Sequence, residues 1–297
     1  MTRMLVTGST GLLGKALVRD LRHDRIDVVR LVRGREDGTD TASWDPAANQ
    51  LDPAAVEGFD AVVHLAAENI GDGRWTQAKK NRIMESRRRG TRLLAERLAG
   101  ATDKPAVLVC ASAVGYYGDR GEEILTEESS PGSGFLSDVV REWEDATRAA
   151  ASAGIRVVNV RNGVILSTEG GALAKMVPAF KMGVGGPLGD GSQWVSWLSL
   201  HDAVRAIRHA LDTPSLSGPV NVAAEPVRGK EFANALGTAL HRPSAIPVPL
   251  FAVRLVLGEG ADEMTASQRV SSGRLLGSGF RFEHAAIETA MQHALQK

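Results

Sequence analysis

Cysteine is nearly absent from this 297-residue chain, with Cys110 the only one. That argues against a disulfide scaffold and against a cysteine-ligated zinc site. Net charge is missing too: 35 basic residues balance 35 acidic ones, so no overall field draws the chain to nucleic acid or to an anionic membrane surface. No apolar run approaches the roughly 20 residues that cross a bilayer. The first strand begins almost at once, which leaves no room for a signal peptide, and a reduced, cytoplasmic setting is expected. Neither internal repeats nor clusters of histidine and carboxylate at metal-ligand spacing are evident, so no metal is expected. Tyrosine is scarce, with only Tyr116 and Tyr117.

What is present starts at Met4. The stretch MLVTGSTGLLG, ending at Gly14, reads as an apolar strand, a glycine turn and the opening of a helix that continues to about His23. Gly8, Gly11 and Gly14 stand at G-x-x-G-x-x-G spacing. The first suits a sharp exit from the strand, the second the approach of a pyrophosphate to the backbone, and the third close packing of helix on sheet. The free N–H groups of the helix start face an anion, with Ser9, Thr10, Leu12 and Leu13 completing the cradle. An ordinary strand-to-helix turn is the bland alternative. The second apolar strand at Val28 to Val32 favours a dinucleotide.

That second strand ends on Val32 and Arg33, with Arg35 two residues on, where an NAD-binding fold places a ribose-binding acid. Guanidinium forks suit a 2′-phosphate, so the cofactor expected is NADP(H). Solvated loop arginines are the alternative, and Asp27 is a poor acid because it lies at the opposite end of the strand.

Further strands are expected around Trp44, at Ala61 to Leu65, Ala106 to Ala111, Arg156 to Val160 and Pro219 to Ala223, and helices at Arg74 to Leu98 and Phe135 to Ala151. This alternation predicts an α/β fold with a Rossmann-type, doubly wound parallel sheet. Ala66 and Ala67 leave space at one strand end, either for a cofactor or as plain packing. The Arg74 to Leu98 helix is densely basic, which usually means a solvated face, with Arg87 at a position that points inward. Ser112, Tyr116 and Tyr117 follow a strand end, where polar chemistry is expected. From Gly163 the chain is glycine-rich and suits a mobile lid, with one helical stretch near Ala172 to Lys181. Asp202 is expected to cap a helix running to Leu211, and further helices are expected at Lys230 to Leu240, Pro249 to Leu257 and His284 to Leu295. The division expected is a cofactor domain over 1–162, its sheet completed by 195–223, with 163–194 and 224–297 forming a smaller substrate-side subdomain.

Taken together, TGSTGLLG, HLAAENI followed by RWT, ESR ahead of GT, SAVGYYG, the Trp143-Glu144 pair, VRNGVIL, GVGGPLGDGSQW and a GSGFRF tail make the chain resemble the extended short-chain dehydrogenase/reductase superfamily. It is most similar to the atypical branch of epimerase-family, nucleoside-diphosphate-sugar-epimerase-like proteins with a C-terminal domain of unknown role. The resemblance implies NADP(H) bound by the three glycines, by Val32 with Arg33, and by Leu65, Ala66 and Ala67. Arg82, Arg87 (where asparagine is usual) and Ile165 complete the implied cofactor set, and Ser112 falls near the catalytic serine. The Tyr-x-x-x-Lys pair does not carry over: Phe135 and Val139 stand in its place, and four residues beyond the two tyrosines lie Arg120 and Gly121. A free phenol with a pKa of about 10 needs a neighbouring cation to act as a base. The expected activity is an oxidoreductase or epimerase-like conversion of a carbonyl or secondary alcohol on a small molecule such as a nucleotide sugar, with Ser112 on the substrate oxygen and Tyr116 or Tyr117 as acid/base. The rival is an NADP(H)-binding regulator without turnover. Nucleic-acid and membrane partners are not expected, and a homodimer is compatible with the resemblance.

Overall fold

The computed structural model describes residues 2–34 and 38–296. Eight strands form one sheet: β1 (Arg3–Thr7), β2 (Asp27–Arg33), β3 (Thr41–Asp45), β4 (Gln50–Leu51), β5 (Ala61–His64), β6 (Val107–Ala113), β7 (Arg156–Asn162) and β8 (Gly218–Val222). Their order is β8-β7-β6-β5-β1-β2-β3-β4, parallel throughout except for the β3–β4 hairpin. β1, β5 and the middle of β6 are apolar on both faces because helices cover both sides of the sheet. α1 (Leu12–His23) and α6 (Leu200–Asp212) pack on one side, where Leu17, Leu21, Ala203 and Ile207 meet Val6, Val63 and Val109. α2 (Gln77–Gly100) covers the other, with Leu94 and Leu98 against Leu5, Val62 and Leu108. A doubly wound parallel sheet places all strand carboxyl ends, and the loops that follow them, along one edge.

The helix expected from Phe135 to Ala151 is two: α3 (Phe135–Asp145) and α4 (Arg148–Ser152). Thr147 interrupts them, its hydroxyl donating to the Glu144 carbonyl at 2.6 Å. α2 begins at Gln77 rather than Arg74, because Thr76 caps it by accepting from Lys79 N. The cap of α6 is Ser199, not Asp202. The carboxylate of Asp202, wholly buried, accepts instead from Glu283 N (3.0 Å) and His284 N (2.9 Å) and pairs with Arg205 at 2.8 Å. Burial works against that charge, yet these donors hold the carboxyl below its usual range.

A second core joins α5 (Gly171–Lys181), α7 (Gly229–Leu240) and the last helix, Ile287–Leu295, around Trp197 and Phe232. Short pairings stitch it to the sheet: Val164–Leu166 with Trp197–Ser199, Trp194–Val195 with Val227–Arg228, and Ile124–Leu125 with Arg269–Val270. Among the described residues no helix is long and apolar enough to cross a membrane.

Candidate functional site

The glycine turn is shaped by backbone contact. Gly8 has φ of +68°, and a Cβ there would stand 2.6 Å from the Leu65 carbonyl carbon. At Gly14 a Cβ would fall 2.1 Å from the Gly8 oxygen, so the start of α1 lies directly on the turn. Gly11 N donates to Gly8 O at 3.0 Å and closes it, leaving Thr10 and Gly11 exposed. Ser9 is buried, at 7% exposure, and its hydroxyl has no hydrogen-bond partner among the described residues. A buried hydroxyl without a partner costs about 1–3 kcal/mol unless a ligand or water meets it. The orphan hydroxyl, the glycine turn and the N-terminus of α1 together fit a dinucleotide pyrophosphate.

Leu12 and Leu13, Leu65 and Ile165, which come from three points of the chain, are half-buried against one core. The sheet brings them together at the carboxyl edge, beside half-buried Ala66 and exposed Ala67. Val32 is half-buried and Arg33 exposed at the end of β2; Arg35 lies outside the described residues. Beneath the turn, His64 spans Thr7 Oγ1 (2.7 Å) and Thr91 Oγ1 (2.9 Å), and complete burial lowers its pKa to about 4.

Arg82 and Arg87 are both met by the loop after β5. Glu68 N donates to Ser86 Oγ at 3.0 Å, Glu68 O accepts from Arg87 Nη1 at 3.1 Å, and its carboxylate meets Lys79 Nζ at 2.8 Å and Arg82 Nε at 3.5 Å. Buried Lys79 also donates to the Asn69 carbonyl at 2.7 Å. The ENI and ESR motifs are therefore two sides of one clamp that fixes the backbone running on from Leu65 to Ala67. Arg87 lies 4.8 Å from the centre of the Trp143 ring, and burial draws its pKa down to about 10 although Glu68 opposes the shift.

The third group is closed on itself. In adjacent strands Ser112, Arg161 and Asn221 occupy one register row. Ser112 Oγ donates to Glu144 Oε1 at 2.6 Å, and Arg161 grips the same carboxylate through Nε (2.8 Å) and Nη2 (2.7 Å). Arg161 Nη1 then donates to the Tyr117 hydroxyl at 2.9 Å, which donates to Asn221 Oδ1 at 2.7 Å. Tyr117 is fully buried, burial pushes its pKa up against the pull of Arg161, and both hydrogen-bonding functions of its hydroxyl are occupied. Of the two tyrosines expected as acid/base, Tyr117 is thus the one held inside the network. Ser112 is likewise buried, its proton committed to Glu144. Tyr116 is half-buried, with the Arg161 guanidinium 3.5 Å from its ring centre. Where Tyr-x-x-x-Lys would stand there is hydrocarbon: Phe135 lies edge-on to Trp75 at 5.5 Å and Val139 is buried.

Glu144, Arg161, Asn221, Glu68 and Lys79 were not among the residues singled out for a role. For Glu144, Arg161 and Glu68 the signal was present only as unassigned pieces of motifs, the Trp143-Glu144 pair, VRNGVIL and HLAAENI; Lys79 and Asn221 lie in none of these.

The sheet order and helical cover define a Rossmann-type α/β protein. Residues 4–223 match the model of the NAD dependent epimerase/dehydratase family, and the chain belongs to that family. Residues 248–294 match a domain of unknown function, DUF1731. An epimerase family protein of Mycobacterium bovis is 42% identical over 291 residues, covering 97% of this chain and 96% of its own length. The crystal structure of human epimerase family protein SDR39U1 with NADPH superposes with a TM-score of 0.90 at 31% identity, covering 100% of both chains. MoeE5, solved with UDP-glucose and NAD, superposes with a TM-score of 0.78 over 98% of this chain and 97% of its own, but at 19% identity it is alike in fold alone.

Proposed function

We propose that this protein is an NADP(H)-dependent oxidoreductase or epimerase-like enzyme acting on a carbonyl or secondary alcohol in the cytoplasm. The observation that carries the reading is the preformed cradle, with its unpartnered Ser9 hydroxyl beside a β2 end that presents Arg33 where an NAD-binding fold presents an acid. The NADPH in the human relative's crystal structure supports it. When bound, the cofactor supplies or accepts a hydride at its nicotinamide.

The chain's own part is as follows. Backbone N–H groups at the start of α1, Leu12 and Leu13, and the Ser9 hydroxyl hold the pyrophosphate, and Arg33 with Arg35 holds the 2′-phosphate. The Glu68 clamp keeps Leu65 to Ala67 in place as a floor for the cofactor. Ser112 keeps free lone pairs and accepts a hydrogen bond from the substrate alcohol. Tyr116 is the tyrosine whose hydroxyl is in no hydrogen bond among the described residues, and it is the acid/base of this reading.

A second reading, an NADP(H)-binding regulator without turnover, is favoured by the hydrocarbon at Phe135 and Val139. Titrating the protein with NADPH and NADH should give the tighter constant for NADPH; equal affinities would remove the phosphate argument. A screen of sugar nucleotides and simple carbonyls for loss of NADPH absorbance then separates the readings: turnover of any compound supports the enzyme, and a uniformly negative screen supports the regulator.

A further inference from the structure

α3 and α4 cover β6 and β7, but the sheet runs one strand further, to β8. Between α4 and the start of β8 lies a groove with a volume of about 400 Å³. Ala151 of α4, with Ile155 and Val157 at the start of β7, gives it hydrocarbon, and Ser217 and Gly218 form its lip. A Cβ on Gly218 would meet nothing within 4 Å, so the lip is open.

Asn159 gives the groove its polar point. Side chains alternate along β7: Val158 and Val160 enter the core beneath α1 and α6, so Val157, Asn159 and Arg161 face α3 and α4. Asn159 lines the groove at 7% exposure, and its Oδ1 has no hydrogen-bond partner among the described residues. Its neighbours in the register row, Cys110 and Pro219, carry no side-chain N–H to give it. A buried carboxamide is costly to leave unmet, so one that lines a groove points to an occupant that meets it. Rotation about its terminal bond lets it turn toward that occupant.

The lining limits what the occupant can be. Glu144 and Asp145 belong to it, and their carboxylates repel an anion. Of the two cations beside them, Arg148 is held by Asp145 at 2.7 Å, and Arg156 is spent on the carbonyls of Ala210, Leu211 and Leu216 at 2.9, 2.8 and 2.9 Å. A phosphate therefore finds no free partner here. A sugar ring would lay its hydroxyls on Ala151, Ile155 and Val157, which cannot pair with them. The faces of a flat heterocycle suit those side chains. A carboxamide holds an acceptor beside a donor, the pattern that pairs twice with the amino group and N7 of adenine.

We propose that the groove is a second binding site, for an uncharged aminopurine whose amino edge pairs with Asn159 and whose substituent leaves through the lip at Gly218. The site lies toward the amino end of β7, away from the carboxyl edge that carries the cradle, and the proposal does not depend on the oxidoreductase reading. Glu144 lines the groove and also holds Ser112 and Arg161, so an occupant adjoins the closed network.

The test is equilibrium dialysis of the full chain against radiolabelled adenosine, with NADPH in excess so that the cradle is filled. Adenosine is expected to bind. Inosine, which carries an oxygen in place of the amino group, is expected to bind about tenfold more weakly or worse, the worth of a lost pairing. Asn159→Leu should weaken adenosine by a similar factor while keeping the parent's NADPH affinity and melting temperature, because Oδ1 makes no bond within the fold. Ala151→Trp, at an exposed position on α4, should abolish binding by filling the groove with Asn159 intact. No adenosine binding by the parent would overturn the proposal and leave the groove to water. So would equal binding of inosine, adenosine binding that survives either variant, or adenosine that displaces NADPH.

Discussion

The glycine cradle and the Ser112–Glu144–Arg161–Tyr117–Asn221 network lie along one sheet edge, yet they are built in opposite ways. The cradle is open: Ser9 Oγ is buried without a partner, Thr10, Gly11 and Arg33 face water, and close backbone approach at Gly8 and Gly14 holds the turn in shape. The network is closed, with Arg161 donating to Glu144 and Tyr117 and Tyr117 donating onward to Asn221. Unmet polar capacity inside a fold is costly, so it persists where a ligand meets it. A closed network supplies rigidity, and in this one the Ser112 oxygen keeps acceptor capacity because only its proton is committed. The difference teaches that the glycine turn keeps polar capacity open, while Ser112, Glu144, Arg161, Tyr117 and Asn221 form a framework with Tyr116 at its margin.

The largest effect should come from opening the closed region. Arg161→Met leaves the half-buried Glu144 carboxylate without its cation and with only the Ser112 hydroxyl donating to it, and a loss of about 3 kcal/mol is expected in urea unfolding, most of it recovered by adding Glu144→Leu. Equal stability of Arg161→Met and the parent would dissolve the contrast. Beneath the cradle, His64 provides a pH test. Its unfolded pKa is near 6.5 and burial lowers the folded value to about 4. Between these values the unfolded chain binds a proton that the folded chain does not, so stability falls as pH drops from 6.5 to 4, by about 3 kcal/mol in all. His64→Gln should flatten that slope in unfolding curves taken across the window.

At the open region, Arg33→Ala should weaken NADPH about 10–100-fold, the worth of a charge-assisted phosphate contact, while sparing NADH and the melting temperature. Fluorescence titration with both nucleotides decides it. The smallest effect is expected at the exposed cluster where Glu122 accepts from Arg228 and Trp194, which draw its pKa down to about 2. Solvent screens that pair, so Glu122→Gln should leave the melting temperature unchanged in calorimetry, in contrast with Arg161→Met.

The main sheet was legible because its strands are apolar runs set between helical patterns, and the cradle because glycine spacing states a backbone requirement directly. The pairings at Trp194–Val195 and Arg269–Val270 were not legible, since two residues carry no period. The break between α3 and α4 escaped notice because Thr147 acts through a hydroxyl bond to Glu144 O, which hydrophobic spacing does not record. Arg82 and Arg87 read as cofactor contacts only by the family resemblance and, for Arg87, by its inward position on a helix whose basic run otherwise suggests a solvated face. In the structure Arg82 lies 3.5 Å from the Glu68 carboxylate and Arg87 donates to the Glu68 carbonyl, contacts brought about by a loop whose path local sequence does not fix. The same holds for Glu144 and Arg161, partners only once α3 lies on the sheet.

The carboxylate of Asp202 has a further consequence. One wholly buried side chain at the start of α6 receives the main chain at Glu283 and His284, from inside the stretch that matches the domain of unknown function. A polypeptide terminated ahead of residue 283 would strand an ionised group in the interior, with only Arg205 and Ser199 left to answer it. The stretch that matches the domain of unknown function is thus tied into the Rossmann portion through a buried charge.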